Sequence, residues 1–285
     1  MKETSESTCA VTVTVIVDNK AHRPEFQGEH GLSMLLETAE YRILFDAGQS
    51  GEVLLHNARA LDIDLSRLDA IVLSHGHYDH TGGLRSLPLS SGVTRLYAHP
   101  EAFIERFNED QPGTLRPIGS GLNPQALSEL GLVCVSSTGP ETTAPGVVAT
   151  GEIARLTEFE EATSTFMRKQ GDRLVPDPIP DDQALVVQTP TGLILLLGCA
   201  HAGVVNTLDH VRRLGFGGPI RALIGGFHLQ GVSPERLRLT VDSIEENDIR
   251  AVMPLHCTGS EAEAFMAKRL GRRFVLGSVG SKLRF

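Results

Sequence analysis

Four side chains that can bind metal ions lie within six positions of the sequence, His75, His77, Asp79 and His80. They follow an apolar run of strand length, and none of them would help to form a hydrophobic core. Gly76 leaves room between the first two histidines, which can therefore point at one ion. Asp79 and His80 then face a second position beside it. Imidazole and carboxylate ligands at this density predict a metal site, which can polarise a bound group and activate water.

The elements that would position these residues alternate between strands and helices. In the first half, four segments have the β-branched and apolar content of strands, residues 11–17, 33–38, 41–45 and 70–73. Ser50 can cap a helix over residues 51–61, which has an apolar face. The last of the four strands ends directly before His75, so it would deliver the cluster at its carboxyl end.

The second half repeats one pattern three times. Apolar strands predicted over residues 192–197, 220–224 and 250–255 are followed by His201, His228 and His256, respectively. Helices are predicted after them, over residues 203–214, from Pro234 with Ser233 as its cap, and from Ser260 with Glu263 completing a capping box. Ligands bind beyond the carboxyl ends of strands in sheets covered by helices. We therefore expect the three histidines to meet the cluster at residues 75–80.

Two residues of the first half have open roles. Asp46 ends a strand and either orients a metal-binding histidine or is a plain turn residue. His30 lies in a glycine-flanked loop, where we expect solvent exposure rather than a place in a pocket.

The middle of the chain carries fewer signals. Residues 95–98 indicate a short strand, residues 100–107 a short helix and residues 184–188 a strand. Glycine, proline, serine and threonine are frequent over residues 108–149, which predicts loops and short strands. We expect residues 108–182 to form a loop-rich connection near the pocket, where substrate selectivity often resides.

Length, composition and charge exclude several classes of protein. The 285 residues contain 41% hydrophobic and 21% charged residues, as in ordinary soluble globular proteins. The formal net charge of −9 argues against nucleic acid or an anionic membrane as the main partner, and no segment approaches the roughly 18 apolar residues of a membrane span. The four cysteines are widely spaced, which predicts reduced thiols in a cytoplasmic protein.

The motifs together resemble a known family. His75-Gly-His77-Tyr-Asp79-His80 is similar to the HxHxDH signature of the metallo-β-lactamase superfamily. Further stretches resemble the branch named for 7,8-dihydropterin-6-methyl-4-(β-D-ribofuranosyl)aminobenzene-5′-phosphate synthases, namely residues 29–33, 45–49, 198–201, 226–229 and 256–259. The resemblance implies an α/β fold, the αββα sandwich of two mixed β-sheets flanked by helices. It runs from about residue 11 to residue 279, so one domain over residues 1–285 is expected, with a disordered tail at residues 1–10.

The resemblance also implies roles for individual residues. His75, His77 and His201 would bind the first metal ion, and Asp79, His80 and His256 the second. Family members usually bridge the two ions with a carboxylate, but Cys199 stands at the matching place here. Either the Cys199 thiolate is a ligand, or Asp181 or Asp182 substitutes for the missing carboxylate. His228 matches no general ligand and is assigned to substrate binding or proton transfer, with Cys257 and Thr258 as further substrate contacts.

The expected chemistry is metal-assisted hydrolysis. Mostly histidine ligands with one carboxylate suit Zn²⁺ at one or two positions, with Mn²⁺ or Fe²⁺ as alternatives. Such a site generates hydroxide near neutral pH, and Asp79 would orient the attacking water. The substrate would be a small phosphate ester, diphosphate or lactone.

Two alternatives stay open, and they differ in chemistry. The branch name implies a condensation of a dihydropterin with a ribofuranosylaminobenzene phosphate that releases diphosphate. A non-catalytic ligand-binding protein that keeps the fold is the other alternative, although His75, His77, Asp79 and His80 are all present. The expected partner is a phosphorylated or pterin-like small molecule, with no nucleic acid or membrane, and a homodimer is left open.

Overall fold

Three β-sheets and six α-helices make up the chain, for which a computed structural model describes residues 10–90, 94–163 and 165–285. The strands are β1 Thr12–Val17, β2 Ser33–Glu37, β3 Arg42–Phe45, β4 Ala70–Val72, β5 Thr94–Ala98, β6 Arg106–Gln111, β7 Thr114–Pro117, β8 Leu132–Ser136, β9 Glu141–Ala144, β10 Val147–Ala149, β11 Phe166–Gln170, β12 Arg173–Pro176, β13 Ala184–Thr189, β14 Gly192–Leu197, β15 Ile220–Gly226, β16 Val252–Leu255 and β17 Lys282–Arg284. The α-helices are α1 Gly51–Ala60, α2 Tyr78–Thr81, α3 Pro124–Glu129, α4 Val204–Arg213, α5 Pro234–Glu246 and α6 Ser260–Leu270.

Two of the sheets are large and mixed. The first has the strand order β17-β1-β2-β3-β4-β5-β8 and the second the order β16-β15-β14-β13-β10-β9. In the first sheet β3, β4, β5 and β8 run parallel, and in the second β14, β15 and β16 do. The remaining neighbours are antiparallel.

Alternating side chains pack the large sheets against each other and against helices. Along β2, Met34 and Leu36 enter a cluster that also contains Ile194 and Leu196 of β14. The intervening Leu35 points away and packs in a cluster with α1. The other side of β14 packs against α4, α5 and α6. The predicted αββα sandwich of mixed sheets is therefore confirmed.

A third sheet, of four strands, was not predicted. Its order is β12-β11-β6-β7. Apart from the first two residues of β6, it lies within residues 108–182, where we expected a loop-rich connection, with short strands over residues 108–149. The side chains of β7 are all exposed, and those of β12 nearly so. Strands with two polar faces lack the alternation that marks a half-buried strand, which explains the omission.

Two local predictions were wrong. The helix expected over residues 100–107 is only a 3₁₀ turn, Pro100–Phe103, because the backbone becomes extended at Ile104 and continues into β6. The capping box of α6 does not form, since Glu263 binds Lys20 at 2.6 Å and Ser260 is already inside the helix, after Gly259.

The other predicted strands and helices agree with the structure to within two residues at their ends. The disordered tail predicted for residues 1–10 lies outside the described residues except at residue 10. Cys9 falls in the same stretch, and the described cysteines, Cys134, Cys199 and Cys257, are free thiols. The described helices are too short or too polar to cross a lipid bilayer.

A buried arginine fastens the third sheet to the loop that carries His75 and His77. Arg106, the first residue of β6, is 1% exposed. Its Nε donates to Asp177 at 2.7 Å, and its two terminal nitrogens donate to the two oxygens of Asp181. Asp181 also accepts the backbone N–H of Gly76 at 2.7 Å. A shift of β6 would therefore move the histidine loop.

A side chain from a distant loop accepts hydrogen bonds from the free backbone N–H groups at the start of α4. The residue before that helix is Gly203, which has no side chain to cap it. Glu160 takes over, with its two carboxylate oxygens accepting the N–H groups of Val205 and Asn206 at 2.9 and 2.8 Å. Burial raises the pKa of Glu160 above its ordinary value, although these two donors oppose the shift.

We expect Arg106→Met to lower the free energy of unfolding by about 3 to 5 kcal/mol, because it leaves two buried carboxylates without their cation. Chemical unfolding followed by circular dichroism measures the change. Lys169→Met is the control, since the Lys169–Glu105 pair of the same sheet is exposed and should contribute little. Equal losses in the two variants would contradict a structural role for the buried pair.

The pH dependence of stability should report the burial of Glu160. A carboxyl whose folded-state pKa is raised stabilises the fold fully below its unfolded value, here 4.5, and this contribution is lost as the pH rises through the folded pKa. Relative to Glu160→Gln, the wild type should therefore lose stability as the pH rises above 4.5. Unfolding curves at a series of pH values measure the difference, with the exposed Glu158→Gln as control. A difference that does not change with pH would refute this interpretation.

Candidate metal centre

Strand ends from both large sheets meet at one cavity of about 220 Å³. The loop after β4 brings His77, and α2 directly after it brings Asp79. The loop after β14 brings Cys199 and His201. The loops after β15 and β16 bring His228, His256 and Cys257. All of these residues line the cavity, as expected for ligands beyond the carboxyl ends of strands.

The first group of ligand atoms consists of three imidazole nitrogens. His75 Nε2 lies 3.0 Å from His77 Nδ1 and 3.2 Å from His201 Nε2. The other ring nitrogen of His75 is taken by the Ser74 hydroxyl at 2.8 Å. Burial lowers the pKa of His77 to about 3. Burial, reinforced by neighbouring imidazoles, also holds the pKa of His75 and of His201 well below the ordinary value, so all three rings are neutral near pH 7.

The second group combines imidazole, carboxylate and thiol. His80 Nε2 lies 3.1 Å from Cys199 Sγ. Asp79 Oδ2 lies 3.2 Å from His256 Nε2 and 3.2 Å from His30 Nε2. Burial opposes ionisation of Asp79, but the nearby imidazoles of His80, His256 and His30 outweigh it and keep the pKa of this carboxyl well below its usual range.

Cys199 lies between the two groups. Its sulfur is within 4.8 Å of ligand atoms of His75 and His201, and equally of His80 and His256. None of the ligand clusters formed by the described residues includes Asp181 or Asp182. Of the three residues predicted for the shared place, Cys199 is the one that belongs to a cluster in each group.

The two aspartates are engaged elsewhere. Asp181 is held by Arg106 and by Gly76 N–H. Asp182 accepts the N–H of Ala202 at 2.7 Å, and burial raises its pKa to about 7. Asp182 therefore shapes the loop of His201 from behind, without reaching the ligands.

Asp46 orients His80, which was one of its two open roles. Its Oδ2 lies 2.6 Å from His80 Nδ1, while its two oxygens also accept the N–H and the hydroxyl of Ser74. Burial lowers the pKa of His80, but Asp46 and Asp79 outweigh it and raise the pKa to about 9. The bond through Nδ1 leaves Nε2 of His80 pointing at Cys199, the pattern by which a carboxylate aims a metal-binding histidine.

His256 is aimed in the same way by the end of β1. Its Nδ1 lies 2.8 Å from Asn19 Oδ1, and its backbone N–H donates to Asp18 at 2.7 Å. Its Nε2 therefore faces Asp79. Neither Asp18 nor Asn19 was predicted, although both stand directly after the first predicted strand.

Backbone strain is concentrated around these ligands. Asp46, Ala200, His228 and His256 have φ values between 47° and 60°, in the left-handed region that residues other than glycine rarely adopt. Such conformations cost about 1 to 3 kcal/mol each and persist where the surroundings enforce them, often at functional sites. At His228 and His256 the strained residue carries a side chain that lines the cavity.

The residues expected to contact substrate divide into two sets. His228 and Cys257 line the cavity, and His228 Nε2 lies 3.3 Å from the Thr163 hydroxyl. Thr258 is fully buried, and its hydroxyl accepts Phe227 N–H and donates to Leu255 O. Because both bonds of this buried hydroxyl are to the protein itself, Thr258 cannot contact a ligand in the cavity. The prediction of Thr258 as a substrate contact is corrected accordingly.

The wall of the cavity comes partly from the unpredicted sheet. Asn108 of β6, Arg116 of β7 and Phe166 of β11 line it, together with Tyr78. Tyr78 N–H donates to Ile118 O at 3.0 Å, which joins this wall to the ligand loop. His30 also lines the cavity, although 55% of its side chain is exposed, so the expectation of exposure was right but missed the contact with Asp79.

The residues present fit a divalent metal ion. His75 Nε2 faces two other nitrogens, and a single ring proton can satisfy only one such contact. His256 Nε2 is buried near Asp79 without forming a hydrogen bond. A cation between these groups would accept the lone pairs of these nitrogens, which would then be metal ligands. Imidazole, carboxylate and thiolate ligands together suit zinc.

Comparisons with known proteins agree with this geometry. A family model described as the metallo-beta-lactamase superfamily matches residues 27–214. A Methanocaldococcus jannaschii protein, MJ0448, is 32% identical over 94% of this chain and 98% of its own length. The 7,8-dihydropterin-6-methyl-4-(beta-D-ribofuranosyl)-aminobenzene-5′-phosphate synthase of the same organism is 29% identical over 95% of each chain. The crystal structure of Tm1679, described as a metal-dependent hydrolase of the beta-lactamase superfamily, superposes with a TM-score of 0.84 at 28% identity, covering 96% of this chain and 98% of that one.

We expect His77→Ala to reduce bound metal to about one ion per chain or fewer, because a three-histidine position loses a ligand. Elemental analysis of the purified variant measures the content. His56→Ala is the matched control, since His56 lies on α1 and bonds only Glu25 O among the described residues. Unchanged metal content in His77→Ala would refute its assignment as a ligand.

Proposed function

The chain belongs to the metallo-β-lactamase superfamily, and on that premise we propose that it is a metal-dependent hydrolase of small phosphate esters, diphosphates or lactones. The observation that carries the proposal is the convergence of buried imidazoles, Asp79 and Cys199 on one side of a cavity open to solvent. Histidines with a purely structural role would not need ring nitrogens that point at one another without a proton between them.

The proposal divides the ligands between two metal positions. His75, His77 and His201 would hold one ion, and Asp79, His80 and His256 the other, with Cys199 between them. Zn²⁺ is the proposed ion, with Mn²⁺ or Fe²⁺ as alternatives. When bound, the metal supplies Lewis acidity and lowers the pKa of water that it contacts.

The chain's own groups complete the proposed chemistry. Asp79 is ionised and lies at the cavity surface, so its carboxylate can orient a water molecule by accepting a hydrogen bond. His228 is placed to exchange a proton with the substrate at Nε2, which otherwise contacts the Thr163 hydroxyl. Phe166 offers an aromatic face next to the His77 ring, at 5.3 Å between centroids. A planar substrate group would pack there.

A second candidate rests on one comparison. The synthase relative matches over nearly the full length of both chains. On this candidate the nucleophile is an aminobenzene nitrogen instead of water, and diphosphate leaves a dihydropterin. The same positive charge would serve the departing diphosphate, so the ligand set alone does not separate the two reactions.

Activity assays on the metal-loaded protein test the proposal. Para-nitrophenyl phosphate esters, a diphosphate and an acyl lactone form the panel, and we expect turnover of at least one, with loss on chelation. Asp79→Asn should lower kcat by roughly 100-fold or more because it removes a ligand and a proton acceptor, while His56→Ala should not.

The two candidates give different results in one assay. Diphosphate release from a dihydropterin diphosphate that needs an added aminobenzene would favour the synthase. Release without the amine would favour the hydrolase. A metal-loaded protein that is inert in both assays, yet binds a pterin tightly, would contradict both and indicate a binding protein.

A further inference from the structure

A third ligand group lies beside the two already described. Cys199 Sγ, Cys257 Sγ and one imidazole nitrogen of His228 are all within 4.8 Å of one another. Neither Cys257 nor His228 belongs to the two histidine groups, and no role at a metal has been given to them above. Two thiols and one imidazole are the ligands of zinc and copper(I) sites rather than of magnesium or calcium sites.

Backbone hydrogen bonds hold the three loops of this group in register. Gly226 N–H donates to Gly198 O at 2.9 Å, which joins the end of β15 to the loop of Cys199. Phe227 N–H donates to the Thr258 hydroxyl at 3.1 Å, which joins the loop of His228 to that of Cys257. The Cys257 thiol itself lies 3.7 Å from Cys199 O. The group is therefore preorganised and does not depend on one mobile side chain.

The space around the sulfur atoms is kept open by Gly226. A Cβ atom at this position would lie 2.7 Å from Cys257 Sγ and 3.3 Å from the Cys199 Cα. Real side chains do not show Cβ contacts below 3.0 Å, and this Cβ atom would also lie 2.4 Å from Gly198 O, so only glycine fits between the Gly198 backbone and the Cys257 thiol.

His228 presents a nitrogen that nothing else uses. Its Nδ1 is buried and has no hydrogen-bond partner among the described residues, whereas Nε2 contacts the Thr163 hydroxyl. A ligating histidine characteristically bonds an oxygen through its second nitrogen, which fixes the ring. The strained backbone of His228, with φ at 47°, is a further cost that a ligand role would explain.

We propose that Cys199, Cys257 and His228 Nδ1 form a separate binding position for one thiophilic metal ion. Binding replaces the thiol protons, which leave to solvent, and it involves no change of oxidation state. The ion would lie at the cavity, next to His201, whose ring centroid is 4.5 Å from that of His228.

Titration of the metal-free full-length protein with Co²⁺, under a reductant that contains no thiol, tests the proposal. Each cobalt–sulfur bond adds charge-transfer absorbance in the near ultraviolet. Cys257→Ser should remove one equivalent of bound cobalt together with the absorbance of its cobalt–sulfur bonds, since the position keeps only one of its two sulfur ligands. Cys134→Ser is the matched control, because Cys134 lies on β8 away from the cavity. Identical spectra and stoichiometry for Cys257→Ser and the wild type would overturn the proposal.

Two further variants keep the outcome decisive. His228→Gln retains both thiols and should weaken cobalt binding at this position by roughly 10-fold or more, so an unchanged affinity overturns the proposal even if Cys257→Ser does not fold. His77→Ala removes a ligand only from the first histidine group and should keep the Cys257-dependent absorbance. Loss of that absorbance in His77→Ala would show that the thiols report on the histidine position alone, which also overturns it. The hydrolase proposal would fail independently of this one if the protein showed no activity while its cobalt spectra behaved as expected.

Discussion

The contact between Asp46 and His80 is the interaction on which the rest of the centre depends. A single buried carboxylate aims His80 at Cys199 and also fixes Ser74, whose hydroxyl in turn binds His75. One side chain therefore sets the orientation of a histidine in each ligand group. Burying this carboxylate would be costly in isolation, but three donors satisfy it and the raised pKa of His80 supplies a compensating cation in the metal-free protein.

A small number of buried contacts likewise links the cavity wall to the proposed ligands. Arg106 lies between the third sheet and the loop of Gly76, and Tyr78 bonds the backbone next to β7. A substrate that presses on Phe166 or Arg116 would push on a sheet joined to the His75–His77 loop by buried charge. The cavity wall and the proposed metal ligands are thus mechanically coupled, although the wall belongs to the polar surface and the ligands are buried.

Sequence patterns predicted the sandwich and the cluster for a physical reason. The strands of the large sheets bury one or both faces, so their apolar runs are visible, and the ligands lie directly after them. The third sheet left no such pattern because β7 is exposed on both faces. Asn19, which aims His256, is an ordinary polar residue whose partner is distant in the chain. The contact of His256 with Asn19 spans 237 positions, and no local spacing can indicate it.

The third sheet also bears on how a protein of this kind could change its substrate. Every proposed metal ligand follows a strand of the two large sheets, in a loop, in α2 or in the 3₁₀ turn His256–Thr258. Asn108, Arg116 and Phe166 instead stand on two hairpins whose outer strands face solvent. Hairpin tips such as Gly113 and Gly171 have no neighbouring atoms near their Cβ positions. The cavity wall and the proposed metal ligands therefore lie in separate parts of the chain. If a hairpin tip were exchanged while Arg106 continued to hold the third sheet in place, the substrate specificity would change and the proposed reaction centre would not.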